Sequence, residues 1–518
     1  MMVSALRPAG VPPVPLSALV SGLGLTGDTG SRTLVVGITL DSRAVEHGWL
    51  YVALPGARAH GARFAASAVE AGAAAILTDD EGRRILGDDP GAPVVGAEDA
   101  RAAMALVSAR LFGEPAAQLT TMAVTGTNGK TTTVALLQAG LAAAGRVAGT
   151  IGTIGFRLGA EELVSARGTV TTPESPDLQA LLGVFVQRGA DAALLEVSSH
   201  ALALSRVDGI AFDVAAFLNL GRDHLDFHRD LDDYFAAKAR LFEPGRAAVS
   251  VFWTDDPRGR ELAQRTGEHG MSSVVTVGTH DADYVLRDYR DVAPLGGAAT
   301  LRRGGEEFAL ALALPGRYNM IDAAVAFAML EAVGVAPDDA LRGLAAAQVP
   351  GRMQRVDLGP GAPVVVVDFA HTPQAVDAAL DSLSAVGPVV TVLGCGGDRD
   401  QAKRPEMGEA AAARSALTVI TDDNPRSEDP ATIRAQVLAG ARVVAGAAVV
   451  EVPGRRAAIE AALRSAPAGG VVAILGKGHE RGQILSDHTA PFDDVEEAVA
   501  AWRRLQEEGA RGGSEHDG

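Results

Sequence analysis

The chain has 518 residues, 47% of them hydrophobic, with a formal net charge of −18 and a single cysteine, Cys395. That length is too great for one core and predicts about three domains of roughly 150 residues each. The acidic balance argues against a general nucleic-acid binder, and no apolar run nears the roughly 18 residues of a membrane span. One cysteine excludes an internal disulfide and fits a reducing cytoplasm.

The opening "MMVSALRPAGVPPVPLSALV" is broken by prolines and lacks a signal peptide's apolar middle. Up to residue 117, short apolar strands ("RTLVVGITL", "AAAILT") flank a helical "RFAASAVEAGA", which predicts a smaller N-terminal α/β domain over 1–117.

The next unit opens on "AVTGTNGKTT", residues 123–132. A phosphate loop spelled G-x-x-x-x-G-K-[ST] would start on Val124; the glycine present is Gly126, giving G-x-x-G-K-T. An apolar β-prone run precedes it, and apolar residues at 134, 136, 137 and 141 follow at helical spacing. A strand-to-helix loop of this kind aims backbone N–H groups and the positive helix end at phosphate. Gly126 and Gly129 allow close approach, Lys130 supplies charge, and the Thr131 hydroxyl suits Mg²⁺.

Further on, "DAALLEVSSH" puts Glu196 at the end of a buried strand, where ligands gather in α/β sheets. It reads as a partner of the same Mg²⁺ or as a hydrogen-bonded strand-end acid. "NLGRDHLDFH" adds Asp223, His224, Asp226 and His228. By pattern alone, Lys238 in "YFAAKARLF" is a solvated helix lysine. From about 348, the strands "PVVVVDF", "PVVTVLG", "LTVITDD" and "GGVVAILG" alternate with Ala-rich helices, the pattern of a doubly wound parallel sheet. The glycines of "VLGCGGDRD" lack the G-x-G-x-x-G spacing of a dinucleotide site. The polar, Gly-rich end predicts a disordered tail over 507–518.

Ten short motifs, "TGTNGKTT", "TTP" (171–173), "EVSSH", "NLGRDHLD", "AAKARLF", "GRMQRV", "DFAHTP", "GCGGDRD", "DDNPR" and "GKGHE", occur in the order seen in Mur ligases. From "LDSR" (40–43) to "FDD" (492–494) the chain resembles that family, in the MurE-type branch that adds the third residue of the peptidoglycan stem peptide. The resemblance implies an N-terminal UDP-substrate domain (1–117), a central P-loop-type mononucleotide-binding domain (118–347) and a C-terminal Rossmann-like amino-acid domain (348–506), with the third expected to close over the others. It also implies ATP-dependent ligation of an amino acid to the γ-carboxylate of D-Glu in UDP-MurNAc-L-Ala-D-Glu, through an acyl phosphate. The expected setting is cytoplasmic, as a monomer, without nucleic acid or membrane insertion.

Carried over by position, ATP would meet Gly126, Thr127, Asn128, Gly129, Lys130, Thr131, Thr132, Asn319, Arg352, Asp368 and His371. Thr131 and Glu196 would hold one Mg²⁺ and His224 a second. Lys238 matches the lysine that the family carbamylates with CO₂ into an anionic metal ligand, which opposes the solvated reading. Leu40 and Ser42 would meet the uridine end of the acceptor, and Thr171, Thr172, Ser198 and Arg206 its muramoyl-dipeptide part. Gly221, Phe369 and Leu204 depart from the commoner Ser, Tyr and Gln, which puts fine acceptor contacts in question.

"DDNPR" matches the motif of meso-diaminopimelate-adding members, although Asp-Asn-Pro also makes a plain turn. Diaminopimelate differs from lysine by a distal carboxylate, which a planar Arg426 suits, with Arg399 as a second contact. Asp423 and Glu480 would receive the distal ammonium, with Asn424, Pro425 and Gly476 completing the site. The alternatives are a lysine-adding ligase, a folate-like polyglutamate ligase, and a phosphotransferase or ATPase that uses the loop as a switch.

Overall fold

The computed structural model describes residues 6–56, 58–163, 170–270, 272–293 and 295–514. They form two compact units, 1–285 with 324–343, and 286–323 with 344–518.

The first unit carries two sheets. The smaller has five strands, with Gly37–Thr39, Trp49–Ala53, Ala73–Thr78 and Val94–Gly96 parallel and Thr26–Gly27 antiparallel at one edge. Its strand Trp49–Ala53, paired on both sides, shows why an all-apolar run is needed. Leu50 and Val52 enter a core with Leu16, Met104 and Val107, while Trp49, Tyr51 and Ala53 enter a second core with Ala65 and Ala68. With both faces covered, alternation cannot include polar residues. The single strand expected over "RTLVVGITL" is divided: Leu34–Val35 pairs with Val14–Pro15, and the chain then turns at Val36, whose N–H donates to the Gly48 carbonyl.

The larger sheet of this unit runs, in spatial order, Glu161–Leu163, Gly155–Leu158, Ala148–Gly152, Ala192–Glu196, Thr120–Thr125, Phe212–Phe217, Ala247–Trp253 and Ser273–Gly278. From Ala148–Gly152 onward neighbours are parallel. Three carboxyl ends therefore lie side by side, at Thr125, Glu196 and Phe217. Each leads into a segment singled out above.

The second unit contains the hairpin Gly297–Arg303 and Glu306–Leu312 and a six-stranded sheet. The order is Gln354–Val356, Val364–Asp368, Val471–Leu475, Val389–Cys395, Leu417–Asp422 and Val449–Glu451, with only the first antiparallel. The last-formed strand, Val471–Leu475, sits between Val364–Asp368 and Val389–Cys395, so this is the doubly wound arrangement expected and its connections diverge there. The crevice beyond that point is where such sheets take ligands.

The final helix, Asp494–Ser514, overruns the tail expected from 507; residues 515–518 of that expectation lie outside the described residues. Leu505 packs on the C-terminal core, and Arg464 reaches Glu508, so local composition is overridden by tertiary contacts. Below the sheet, Arg455 and Asp494 form a wholly buried bidentate pair at 2.7 Å, and Arg455 also donates to the Leu475 carbonyl. Removing one partner leaves an uncompensated buried charge. Arg455→Ala is expected to lower the unfolding free energy of this unit by about 3–5 kcal/mol, read as a lower urea midpoint.

Candidate active site

The phosphate loop takes its shape from two glycines with positive φ, Gly126 (+154°) and Gly129 (+89°), the latter just before the helix Lys130–Ala143. Val134, Leu136, Leu137 and Leu141 of that helix are buried, as their spacing predicts. Asn219, at the end of the neighbouring strand, braces the loop: its Oδ1 accepts from Asn128 N–H (2.9 Å) and its Nδ2 donates to the Asn128 carbonyl (3.1 Å). Thr127 is gripped similarly, with its hydroxyl 2.8 Å from Gly221 N–H and 3.2 Å from Tyr234 Oη. Lys130 Nζ donates to the carbonyls of Gly126 (2.8 Å) and Thr127 (2.9 Å). Thr132, in the first turn, is buried.

Glu196 is 1% exposed, so an ionised carboxylate here depends on its hydrogen bonds. Its oxygens accept from Thr131 Oγ1, Thr153 Oγ1 and Thr153 N–H, each at 2.9 Å. A side chain at Gly152 would force Glu196 to move, since a Cβ would stand 2.2 Å from Glu196 Oε1. The structure thus joins Thr131 directly to Glu196, which is hydrogen-bonded at its strand end. Among the described residues no cluster of three His, Cys, Asp or Glu side chains forms a ready-made metal cage. An octahedral Mg²⁺ that takes one or two protein oxygens and fills its shell with phosphate and water fits such a donor set.

Lys238 is not solvated. It is 1% exposed, its Nζ donates to the Gly126 carbonyl at 2.8 Å, and it lies 4.5 Å from the centroid of the Tyr234 ring, one turn earlier on the helix Leu231–Ala239. Burial, and then repulsion from Lys130, push its pKa well below the ordinary 10.5. The amine is held toward its neutral, nucleophilic form.

His224, with φ +55°, packs its ring edge-on to His200 at 4.8 Å and near Tyr234. Burial lowers the His224 pKa, and His200 falls to about 4 through burial and then its neighbours His224 and His228. His228, also buried, bonds Ser199 Oγ at 2.9 Å.

The expected acceptor residues divide in two. Thr171 Oγ1 is 3.2 Å from Thr153 Oγ1, just beyond the strand Ala148–Gly152, and Thr172 donates to the Glu196 carbonyl at 2.8 Å. Ser198 caps the helix Ser199–Ala203, and Arg206 donates to Glu174 and the Thr172 carbonyl. Leu40 and Ser42 belong to the smaller sheet, just beyond Gly37–Thr39, and Ser42 begins a short 3-10 turn capped by Asp41.

In the second unit, Asp368 ends its strand buried, accepting from Met353 N–H (2.6 Å) and Ala370 N–H (2.8 Å). Burial raises its pKa despite the nearby Arg352, which lies 4.4 Å from the Phe369 ring centroid. His371 Nδ1 is 2.9 Å from the Phe369 carbonyl, and Asn319 donates to the Pro315 carbonyl at 2.7 Å. Asp423, Asn424, Pro425 and Arg426 follow the strand Leu417–Asp422, and Gly476 and Glu480 follow Val471–Leu475. Asn424 Nδ2 donates to Glu480 Oε2 at 2.7 Å, and Arg426, with φ +53°, donates to the Gly397 carbonyl at 2.7 Å. At Gly476 a Cβ would approach Asp423 Oδ2 to 2.7 Å. Arg399 is exposed beyond the strand Val389–Cys395.

Three family models match the chain: "Mur ligase family, catalytic domain" over 34–110, "Mur ligase middle domain" over 124–330, and "Mur ligase, glutamate ligase domain" over 351–478. The UDP-N-acetylmuramoyl-L-alanyl-D-glutamate–2,6-diaminopimelate ligase of Streptomyces avermitilis is 44% identical over 94% of this chain and 96% of its own length. The chain belongs to the Mur ligase family. The enzyme of the same name from Corynebacterium glutamicum is 41% identical over 94% of this chain and 96% of its own. A solved structure of a ligase with that name superposes with a TM-score of 0.69 at 30% identity, covering 96% of this chain and all of the other.

Several side chains of this Mur ligase were given no role in the sequence reading: Asn219, Thr153 and Tyr234 in the first unit and Lys477 in the second. Asn219 and Lys477 lie inside the quoted motifs "NLGRDHLD" and "GKGHE", and Tyr234 stands at i−4 from Lys238 on one helix face, so only Thr153 carried no local signal. The depressed Lys238 pKa has a measurable consequence. Between its folded value and the ordinary 10.5 the unfolded chain binds more protons, so stability rises with pH through that window. In CO₂-free buffer, the unfolding free energy of wild type relative to Lys238→Met is expected to increase from pH 7 toward pH 10, by denaturant titration. A pH-independent difference would refute the neutral amine.

Proposed function

We propose that this Mur ligase joins meso-diaminopimelate to the γ-carboxylate of D-Glu in UDP-MurNAc-L-Ala-D-Glu, with ATP as the energy source, in cytoplasmic peptidoglycan precursor synthesis. The observation that carries the reading is the meeting of the phosphate loop with two buried groups from other strands and helices, Glu196 and Lys238. The curated relatives, at 39–44% identity over nearly their whole length, support the choice of substrates.

A carboxylate has no competent leaving group until phosphate supplies one. The D-Glu oxygen attacks the γ-phosphorus, ADP departs, and the amino group then attacks the acyl carbon, expelling phosphate and losing a proton as the amide forms. Such chemistry rests on positioning and charge neutralisation. Lys130, released from its own loop carbonyls, neutralises the β/γ-phosphates. The remaining loop residues, Gly126 to Thr132, present N–H groups to them, and Asn319, Arg352, Asp368 and His371 serve the rest of the nucleotide.

Thr131 and Glu196, with His224 and a carbamylated Lys238, would hold Mg²⁺, which would supply positive charge to offset phosphate. The neutral Lys238 amine can add to CO₂, lose a proton and become an anionic carbamate, so its burial is an asset for that modification. Thr171, Thr172, Ser198 and Arg206 lie at the dipeptide end of the acceptor and Leu40 and Ser42 at its uridine end. Arg426 takes the distal carboxylate of diaminopimelate, with Asp423, Asn424, Pro425, Gly476 and Glu480 around the distal ammonium and Arg399 at the rim. We further propose three domains, 1–117, 118–347 and 348–506, acting as a monomer; the spans of the three family models support the division.

The decisive test is phosphate release and tripeptide formation with ATP, Mg²⁺ and UDP-MurNAc-L-Ala-D-Glu. Meso-diaminopimelate should drive both, while L-lysine or no amine should not. Release without any amine would overturn the ligase reading, and equal use of lysine would overturn the substrate choice. Lys130→Ala is expected to lower kcat by about 10²–10³-fold or more. Lys238→Ala should be nearly inactive and partly rescued by short-chain carboxylic acids that replace the carbamate; wild-type rates without them would refute it.

A further inference from the structure

Lys477 is a buried charged group just beyond the strand Val471–Leu475, and nothing in the mechanism above uses it. It is 0% exposed, yet it carries an ammonium group. Its Nζ donates to Asn424 Oδ1 at 3.0 Å and to Glu480 Oε2 at 3.2 Å, and stands 3.6 Å from Asp423 Oδ1. Burying a lysine is costly unless its charge is answered, and here two carboxylates answer it.

The contacts dictate the orientation of Asn424. An ammonium group only donates and an ionised carboxylate only accepts, so the amide oxygen must face Lys477 and the amide nitrogen Glu480. The oxygen also receives Ile484 N–H at 2.9 Å, which locks the amide from a third side. The turn that carries Arg426 is pinned in the same place, because Arg426 N–H donates to the Ile484 carbonyl at 3.1 Å.

The charges matter as much as the geometry. Asp423 and Glu480 bring two negative charges to this corner; Lys477 and Arg426 bring two positive ones. The neighbouring buried pair Arg455 and Asp494 interacts with Asp423, Glu480 and Lys477 but adds no net charge. Asp423 Oδ1 makes no hydrogen bond among the described residues and meets Lys477 only as an ion pair at 3.6 Å, and Glu480 keeps 35% of its side chain exposed, so both acids can accept a further donor.

We infer that Lys477 is the specificity-determining counter-charge of the distal pocket, a positioning residue that makes the pocket neutral and so selects an amino acid whose far end is a zwitterion over one whose far end is a cation. The inference rests on the diaminopimelate reading above and deepens it. Removing the Lys477 charge leaves two carboxylates against Arg426 alone, which suits a lone distal ammonium, as in L-lysine. Removing the Glu480 charge leaves two cations against Asp423, which suits a lone distal carboxylate, as in 2-aminopimelate. A residue that merely supports the fold has no reason to move selectivity in two opposite directions.

The test compares kcat/KM for meso-diaminopimelate, L-lysine and 2-aminopimelate in wild type, Lys477→Met, Lys477→Arg and Glu480→Gln, with KM for ATP as the control. In Lys477→Met the preference for diaminopimelate over lysine should fall by roughly tenfold or more, with KM for ATP unchanged. Lys477→Arg, which keeps the charge, should restore most of it. Glu480→Gln should shift preference toward 2-aminopimelate by a similar factor, and it decides the matter alone if Lys477→Met does not fold. Unmoved ratios, or both variants shifting the same way, overturn the inference while leaving the ligase intact. A wild type that does not ligate diaminopimelate overturns the proposed function and this inference with it.

Discussion

The Gly126 carbonyl accepts from two lysines at once, Lys130 from the next helix and Lys238 from a helix far along the chain, each at 2.8 Å. Burial first, and then repulsion from the Lys130 ammonium on the same oxygen, push Lys238 toward its neutral form. Everything around it serves to hold that geometry. Tyr234 lies beneath the Lys238 head and bonds Thr127, Thr127 bonds Gly221, and Asn219 clips Asn128, so the phosphate loop is tied to the strand that leads to His224. The loop's departure from the longer glycine spacing costs it nothing, because neighbours supply the rigidity.

Both units place their chemistry by the same device. Parallel strands end together, so Thr125, Glu196 and Phe217 deliver the loop, the acid and the His224 segment side by side. In the other sheet Asp368, Leu475, Cys395 and Asp422 end in the same way, and lead to the buried Asp368, to Lys477 and Glu480, to the Gly396–Gly397 turn and to Asn424 and Arg426. The departures in the family motifs fit this frame. Gly221 leaves room beside Thr127, where an added Cβ would meet its methyl group at an ordinary 3.5 Å, so the usual Ser is dispensable to the loop. Phe369 keeps a flat face for Arg352 without the tyrosine hydroxyl.

Much of this was legible from local pattern. Helical spacing after Lys130 predicted four buried positions that are buried, and the apolar run before Glu196 predicted an acid buried at a strand end. Alternating valine-rich strands and Ala-rich helices predicted the doubly wound sheet. The failures share a cause. Lys238 sits on a helix whose spacing resembles a solvated face, yet its partner is 112 residues away, and residues 507–514 have a tail's composition yet continue the helix Asp494–Ser514, in which Glu508 meets Arg464.

By itself the sequence determined the strand and helix periods, the phosphate loop with its Lys and Thr, and the identity of the charged groups at each strand end, because these depend on residues adjacent in the chain. Only the tertiary structure decided which of those charges are buried together. Glu196 meets Thr131, Lys238 meets Gly126, and Lys477 meets Asn424 across separations of 65, 112 and 53 residues, respectively. The charge state and orientation of such groups follow from desolvation and the nearest opposite or like charge, and those are properties of packing that no local pattern carries.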